Sequence, residues 1–190
     1  MRSLSWTLTI VAMAGMLGCV RKDAPATTDS ATVQRPLPVL RDTGWIVAAD
    51  HFGRYQIGWS VAQFNAASGE GFRPTHQVDG GCDQYHPTSF PVGVSLMVIG
   101  DSIVRFDVDS TGIVTDEGVG VGDLESRVRG LYGDRVVVTP HKYTGPTGHY
   151  LTVSPPGDSR HRIIFETDGQ RVVRYHAGQR PAVELVEGCS

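Results

Sequence analysis

Two stretches of this chain align without a gap, each bounded by glycines. The first is Ile57-Gly58-Trp59-Ser60-Val61-Ala62-Gln63-Phe64-Asn65-Ala66-Ala67-Ser68-Gly69. The second is Val121-Gly122-Asp123-Leu124-Glu125-Ser126-Arg127-Val128-Arg129-Gly130-Leu131-Tyr132-Gly133. An internal repeat constrains the fold strongly, because both copies must build the same unit. In the second copy Asp123 is placed to cap a helix by accepting a bond from a free backbone N–H. Leu124, Val128 and Leu131 follow at i, i+4 and i+7 and share one face, and Gly133 suits the left-handed residue that ends a helix. In the first copy Val61, Phe64 and Ala67 make a weaker stripe, ended by Gly69.

Each copy runs into β-like sequence. After the first, Val94–Ile99 meets Gly100-Asp101 and then Ser102–Val108. After the second, Arg162–Thr167 meets Asp168-Gly169 and then Arg171–His176. Asp and Gly between β-branched runs signal a hairpin. The closing strands also match, Ile103-Val104-Arg105-Phe106 against Val172-Val173-Arg174-Tyr175, and further strands are expected over 135–139 and 150–154. The reading is α+β: two repeats, about 53–110 and 112–178, each a helix plus an antiparallel meander, forming a curved sheet with the short helices on one face. The alternative is chance similarity between two glycine-flanked helices; the shared order of matched elements favours duplication.

The N-terminus has a different character. Met1 to Gly18 carries one basic residue, Arg2, then a short apolar run ending in Met16-Leu17-Gly18-Cys19. The run is too short to cross a bilayer, which takes about 20 residues, and has the flanks of an export signal. It resembles a bacterial lipoprotein signal peptide over residues 1–18. The resemblance implies that Cys19 is lipidated and begins the mature protein, and that Val20, not Asp, after it directs the chain to the outer membrane. With two or three acyl chains, as that family carries, anchoring is effectively permanent. Residues 19–43 are small, polar and proline-bearing, and cannot bury enough surface to offset ordering entropy. They read as a disordered tether.

Residues 44–190 are long enough for one domain with a real core. Removing residues 1–18 takes away only Arg2, moving the net charge from -3 to -4. So balanced a chain gives no support for nucleic-acid binding. With Cys19 assigned to lipid, Cys82 and Cys189 remain. An even pair in an exported chain reads as a disulfide; two separate buried thiols are the alternative.

The order of glycines, small amphipathic helix, glycine and hairpin strands resembles the fold shared by the outer-membrane assembly lipoprotein BamE (the SmpA/OmlA family) and the tandem-repeat β-lactamase inhibitory protein. The match is best over Gly122–Gly133 and weaker over Ile57–Gly69, and with their strands it covers most of 53–177. The long insertion around Cys82 and the cysteine at 189 depart from that pattern. The resemblance implies a periplasm-facing envelope protein that binds a partner, an assembly component or a target enzyme.

Signals for chemistry are sparse. Gly58-Trp59-Ser60-Val61-Ala62 approximates a nucleophile elbow but ends in alanine, and Ser60 equally reads as a helix start. Gly118-Val119-Gly120-Val121-Gly122 lacks dinucleotide-loop spacing, and Asp123 would repel a pyrophosphate there. His141 and His149 flank a turn-rich loop, where a hairpin would let the two imidazoles approach each other. His76, Asp79, Asp83 and His86 surround Cys82. Neither group has the spacing of a zinc site, so no metal or cofactor is expected. Trp45, Trp59, Tyr85, Tyr143 and Tyr150 are candidates for a protein hot spot or a sugar-stacking surface, or for the core. The expectation is a non-enzymatic, lipid-anchored binding or envelope-assembly module that contacts an envelope protein or glycan through the sheet and through His141, Tyr143, His149 and Tyr150. The rival is a small envelope hydrolase or metal-dependent enzyme using Ser60 or the loop histidines.

Overall fold

The structure is a computed structural model that describes residues 44–75 and 81–189. Cys19, the export signal and the tether lie outside the described residues, as do His76 and Asp79. In chain order the elements begin with three short strands, β1 (Ile46–Val47), β2 (His51–Phe52) and β3 (Tyr55–Gln56), followed by helix α1 (Val61–Ser68). Next come β4 (Cys82–Tyr85), β5 (Val94–Ile99), β6 (Ser102–Val108), β7 (Val114–Thr115) and helix α2 (Glu125–Tyr132). The last four strands are β8 (Val136–Pro140), β9 (His149–Val153), β10 (His161–Thr167) and β11 (Val172–Gln179). The class is α+β. No helix among the described residues is long and apolar enough to cross a membrane.

A small sheet runs β3-β2-β1-β7, with β1 and β7 parallel. The main sheet runs β4-β5-β6-β11-β10-β9-β8 and every neighbouring pair in it is antiparallel. Gly100-Asp101 joins β5 to β6, with Gly100 at φ 61, a conformation that costs glycine nothing. At the centre β6 pairs with β11, Val108 opposite Tyr175 and Arg105 opposite Gly178. A Cβ at Gly178 would run into the Val104 carbonyl and the Arg105 backbone, so only glycine allows this approach.

The two helices start differently. α1 has a full capping box: Ser60 Oγ accepts from Gln63 N at 3.2 Å, and Gln63 Oε1 accepts from Ser60 N at 2.9 Å. Gly69 closes it in the left-handed conformation, and Val61 and Phe64 are its buried residues. For α2 the expectation is corrected. Asp123 is not the cap; its carboxylate accepts from Gly120 N and braces the preceding turn. Leu124 stands at the cap position, tied to Arg171 in a one-residue β-bridge, so the helix begins later and its buried stripe is Glu125, Val128 and Tyr132. Leu124 itself is 47% exposed. Gly133 has positive φ but ψ of -130°, and leads into a tight 3-10 turn rather than a left-handed cap.

Despite this, both helix entrances dock on the main sheet through corresponding bonds. Gly58 N donates to Ile103 O, Ile103 N to Trp59 O, and Val61 N to Asp101 O. Gly122 N donates to Val172 O, Val172 N to Asp123 O, and Glu125 N to Gln170 O. Each bond of the first set involves the residues aligned in sequence with those of the second.

One core cluster joins Leu96, Ile103, Phe106, Leu151, Phe165 and Tyr175 of the main sheet to Val61 and Phe64 of α1, Val128 and Tyr132 of α2, and Val47, Phe52 and Tyr55. Trp45 stacks on Phe52 at 5.0 Å and Trp59 meets Tyr55 edge-on, so both tryptophans pack against this cluster. Side chains alternate along a strand, so Met97, between Leu96 and Val98, faces the other side. There, with Val104, it packs Ala182 and the half-buried Cys82 and Cys189. Residues 180–189 thus form a strap over the second side. Cys82 and Cys189 are disulfide-bonded, which fixes the strap to edge strand β4.

Candidate binding cleft

A β-bulge at Val104, where the register with β5 shifts, puts Arg105 on the strap side as well. From there alternation turns Asp107, and on the neighbouring strands Glu166, Arg174, His176 and Tyr150, toward the side that carries the strap. Arg105 is buried; its Nε donates to Asp107 at 2.8 Å, its Nη2 also bonds Asp107, and its Nη1 reaches the Leu185 carbonyl of the strap at 2.6 Å. Arg174 is exposed, with Nη2 2.9 Å from Glu166 Oε2.

Glu166 is only 1% exposed and anchors the loop over 141–148. His141 Nδ1 accepts from the backbone N–H groups of Tyr143, at 3.1 Å, and Thr144, at 3.2 Å. That nitrogen therefore carries no hydrogen, and Nε2 donates to Glu166 Oε2 at 2.9 Å. Tyr150 stacks on the His141 ring at 4.4 Å between centroids. The loop then grips the strap: Lys142 Nζ lies 2.8 Å from Glu187 Oε1, and Tyr143 Oη bonds the same carboxylate. That partner pushes the Lys142 ammonium up from its ordinary pKa.

The four expected loop residues divide between two sites. His141, Tyr143 and Tyr150 meet on the strap side. His149 is Tyr150's neighbour on β9 and points the other way, where its Nδ1 lies 2.9 Å from Glu125 Oε2. Thr167 Oγ1 donates to that oxygen at 2.7 Å, and Arg129 binds Oε1. Burial pushes the Glu125 carboxyl up, but these bonds outweigh it and hold it below its usual range. The expected approach of the two imidazoles is therefore corrected: strand alternation sends them to different carboxylates. Among the described residues no three of His, Cys, Asp and Glu group to hold a metal ion. Asp83 bonds Thr75, and Tyr85 stacks on Phe72 at 4.1 Å and donates to Glu70.

Ser60 serves as a helix cap, its oxygen engaged by Gln63 N. Ser60→Ala is expected to cost about 1 kcal/mol of stability. Urea titration checks it; an unchanged midpoint would mean that the capping box contributes nothing.

Between the sheet and the strap lies an open cleft of about 570 Å³. Arg105, Asp107, Asp109 and Arg174 line it from the central strands, Gln84 from β4, Tyr143 from the loop and Glu187 from the strap. Val186 also borders a smaller cavity of about 170 Å³ whose wall includes Tyr150, His176 and Glu184. His176 is buried at this junction. Burial first, and the Arg105 guanidinium second, hold it down to about 4, against Asp107, Glu166 and the Val183 backbone, which push up.

The folded pKa of His176 is thus depressed below the unfolded value of about 6.5, so below that pH the unfolded chain takes a proton that the native state refuses. Stability is expected to fall by about 3 kcal/mol as pH drops from about 6.5 to about 4. Denaturation midpoints across that window read the slope, and His176→Gln should flatten it by about one proton; an identical slope in the variant would assign it elsewhere.

The sequence reading missed Arg105, Asp107, Glu166, Arg174 and Glu187. For two of them a signal was present: Arg105 and Arg174 occupy the same place in the matched strands Val104-Arg105-Phe106 and Val173-Arg174-Tyr175.

No protein-family model matches the chain, and no curated protein or solved structure matches it.

Proposed function

We propose that this chain is an outer-membrane-anchored lipoprotein facing the periplasm, lipidated at Cys19, which acts as a non-enzymatic binding module. The observation that carries the binding reading is the contrast between the two sides of the main sheet. One side is taken up by the core, and the other presents a polar cleft edged by the 141–148 loop and the stapled strap. A disulfide between Cys82 and Cys189 suits an oxidising compartment.

The reading includes a tandem-repeat fold of the BamE and β-lactamase inhibitory protein kind, with both helices on the core side of a curved sheet. The three pairs of corresponding hydrogen bonds at the helix entrances support it. They join aligned residues although the two helices have different caps, which chance similarity would not require. Commitment of Ser60 to its cap and of His141 to Glu166 and the loop amides leaves the hydrolase reading without a supporting observation.

Proximity crosslinking in the native envelope tests this, with a photoreactive residue at Gln84 or Asp109. Capture of one dominant partner is expected, together with loss of membrane fractionation in Cys19→Ala. A soluble wild-type protein would overturn the anchoring. Hydrolysis abolished by Ser60→Ala would overturn the non-enzymatic reading.

A further inference from the structure

We infer that the cleft between the main sheet and the strap is a binding site for a neutral sugar, a pyranose unit of an envelope oligosaccharide. This rests on the proposed reading of the chain as a binding module and names the ligand class of its cleft.

Charge narrows the class first. The cleft wall holds Arg105 and Arg174 together with Asp107, Asp109 and Glu187. Arg105 is paired with Asp107, Arg174 with Glu166 and Lys142 with Glu187. An anionic ligand would meet the carboxylates, and a cationic ligand the guanidinium groups. A group with donors and acceptors but no net charge suits both, and paired hydroxyls are such a group.

Hydrogen-bonding capacity points the same way. Arg174 spends Nη2 on Glu166, so other edges of its planar fork remain to donate. Gln84 donates through Nε2 to Ser95 Oγ at 2.7 Å and to Asp107 Oδ2 at 3.1 Å, which leaves its carbonyl oxygen to accept. The Asp109 carboxylate accepts only. Convergent donors and acceptors on a rigid sheet set orientation and specificity in small-ligand sites.

The third element is a plate for the apolar face of the sugar ring. Tyr143 is 58% exposed and lines the cleft. Its hydroxyl bonds Glu187, and Lys142 Nζ lies 5.1 Å from the ring centroid. The exposed ring is therefore held in place before any ligand arrives, which lowers the ordering cost of binding. The volume of about 570 Å³ falls within the roughly 300–1,000 Å³ of small-ligand sites.

Saturation-transfer NMR on the full-length, oxidised protein tests this with three probes: cellotriose, chitotriose and maltotriose. Transfer to at least one is expected. It should weaken roughly tenfold or more in Tyr143→Ala and persist in Tyr143→Trp, which keeps a plate. Arg174→Lys preserves the charge beside Glu166 but loses the fork, and should also weaken binding. Melting curves of the variants confirm that they fold. No transfer to any probe, or transfer indifferent to Tyr143→Ala, overturns the sugar assignment. Crosslinking from Gln84 or Asp109 to a single protein, with no sugar binding, would overturn the sugar and keep the binding module; failure of both would overturn both.

Discussion

Loss of the Cys82–Cys189 bond is expected to lower stability by about 4–5 kcal/mol. The two cysteines are 107 residues apart, and in the chain-entropy account a cross-link over about 100 residues removes close to that much freedom from the unfolded state. The Cys82→Ser, Cys189→Ser double variant should therefore melt about 10 °C or more below the oxidised wild type. A second readout locates the effect. Once unstapled, the strap is held by Ala182 and Val183 in their buried positions, by Arg105 on the Leu185 carbonyl, and by Lys142 and Tyr143 on Glu187. Amide exchange over 185–188 should accelerate well before the sheet opens, because the last two contacts are exposed and each contributes little. Equal melting temperatures with and without the bond would show that it constrains nothing.

Glu166→Gln should be nearly as costly, at about 3 kcal/mol or more. A carboxylate here takes the His141 Nε2 hydrogen and the Arg174 guanidinium on one oxygen. An amide offers only one accepting atom and turns an N–H toward the other side, where His176 is buried. The one carbonyl oxygen can still accept from both donors, so the cost comes from the lost charge between them and from the amide N–H turned into the buried interior. Urea unfolding should show a lower midpoint at an unchanged slope. The 141–148 loop should loosen too, since the Tyr143 and Thr144 amides are held by a ring that Glu166 orients. A variant as stable as wild type would mean that the loop stands without this anchor.

The strands of the main sheet were legible because their signals are local. Val94–Ile99 and Ser102–Val108 alternate or run apolar on either side of Gly100-Asp101, and they form β5 and β6 at those residues. The start of α2 was misread because Asp123 spends its carboxylate on the Gly120 N–H of the preceding turn, which leaves Leu124 at the cap position. The pairing of Cys82 with Cys189 followed from counting. The cleft was not legible in that way, because it depends on which side of the sheet each charge faces. In sequence Arg105 and Asp107 are charges on an alternating strand, with nothing local to show that Arg105 is buried and bonds the Leu185 carbonyl of the strap. His141 and His149 look equivalent in sequence, and strand alternation alone separates them. Trp45 and Trp59 could not be divided between core and surface by sequence, since both uses call for the same residue.

The strand order has a consequence for how the chain reaches this state. β4-β5-β6 and β8-β9-β10-β11 are each built from near neighbours in sequence, whereas the junction of β6 with β11 joins the middle of the domain to its C-terminal part, pairing residues such as Val108 and Tyr175 that are far apart in the chain. Local meanders assemble quickly, and non-local pairing pays its closure entropy before any contact rewards it. The β6–β11 seam is thus expected to close after the two meanders have formed. Until it closes, β6 and β11 are open edges able to pair with a foreign strand. Substitutions that weaken the seam, at Gly178 above all, should show themselves first as aggregation during refolding and only afterwards as a change in the finished protein.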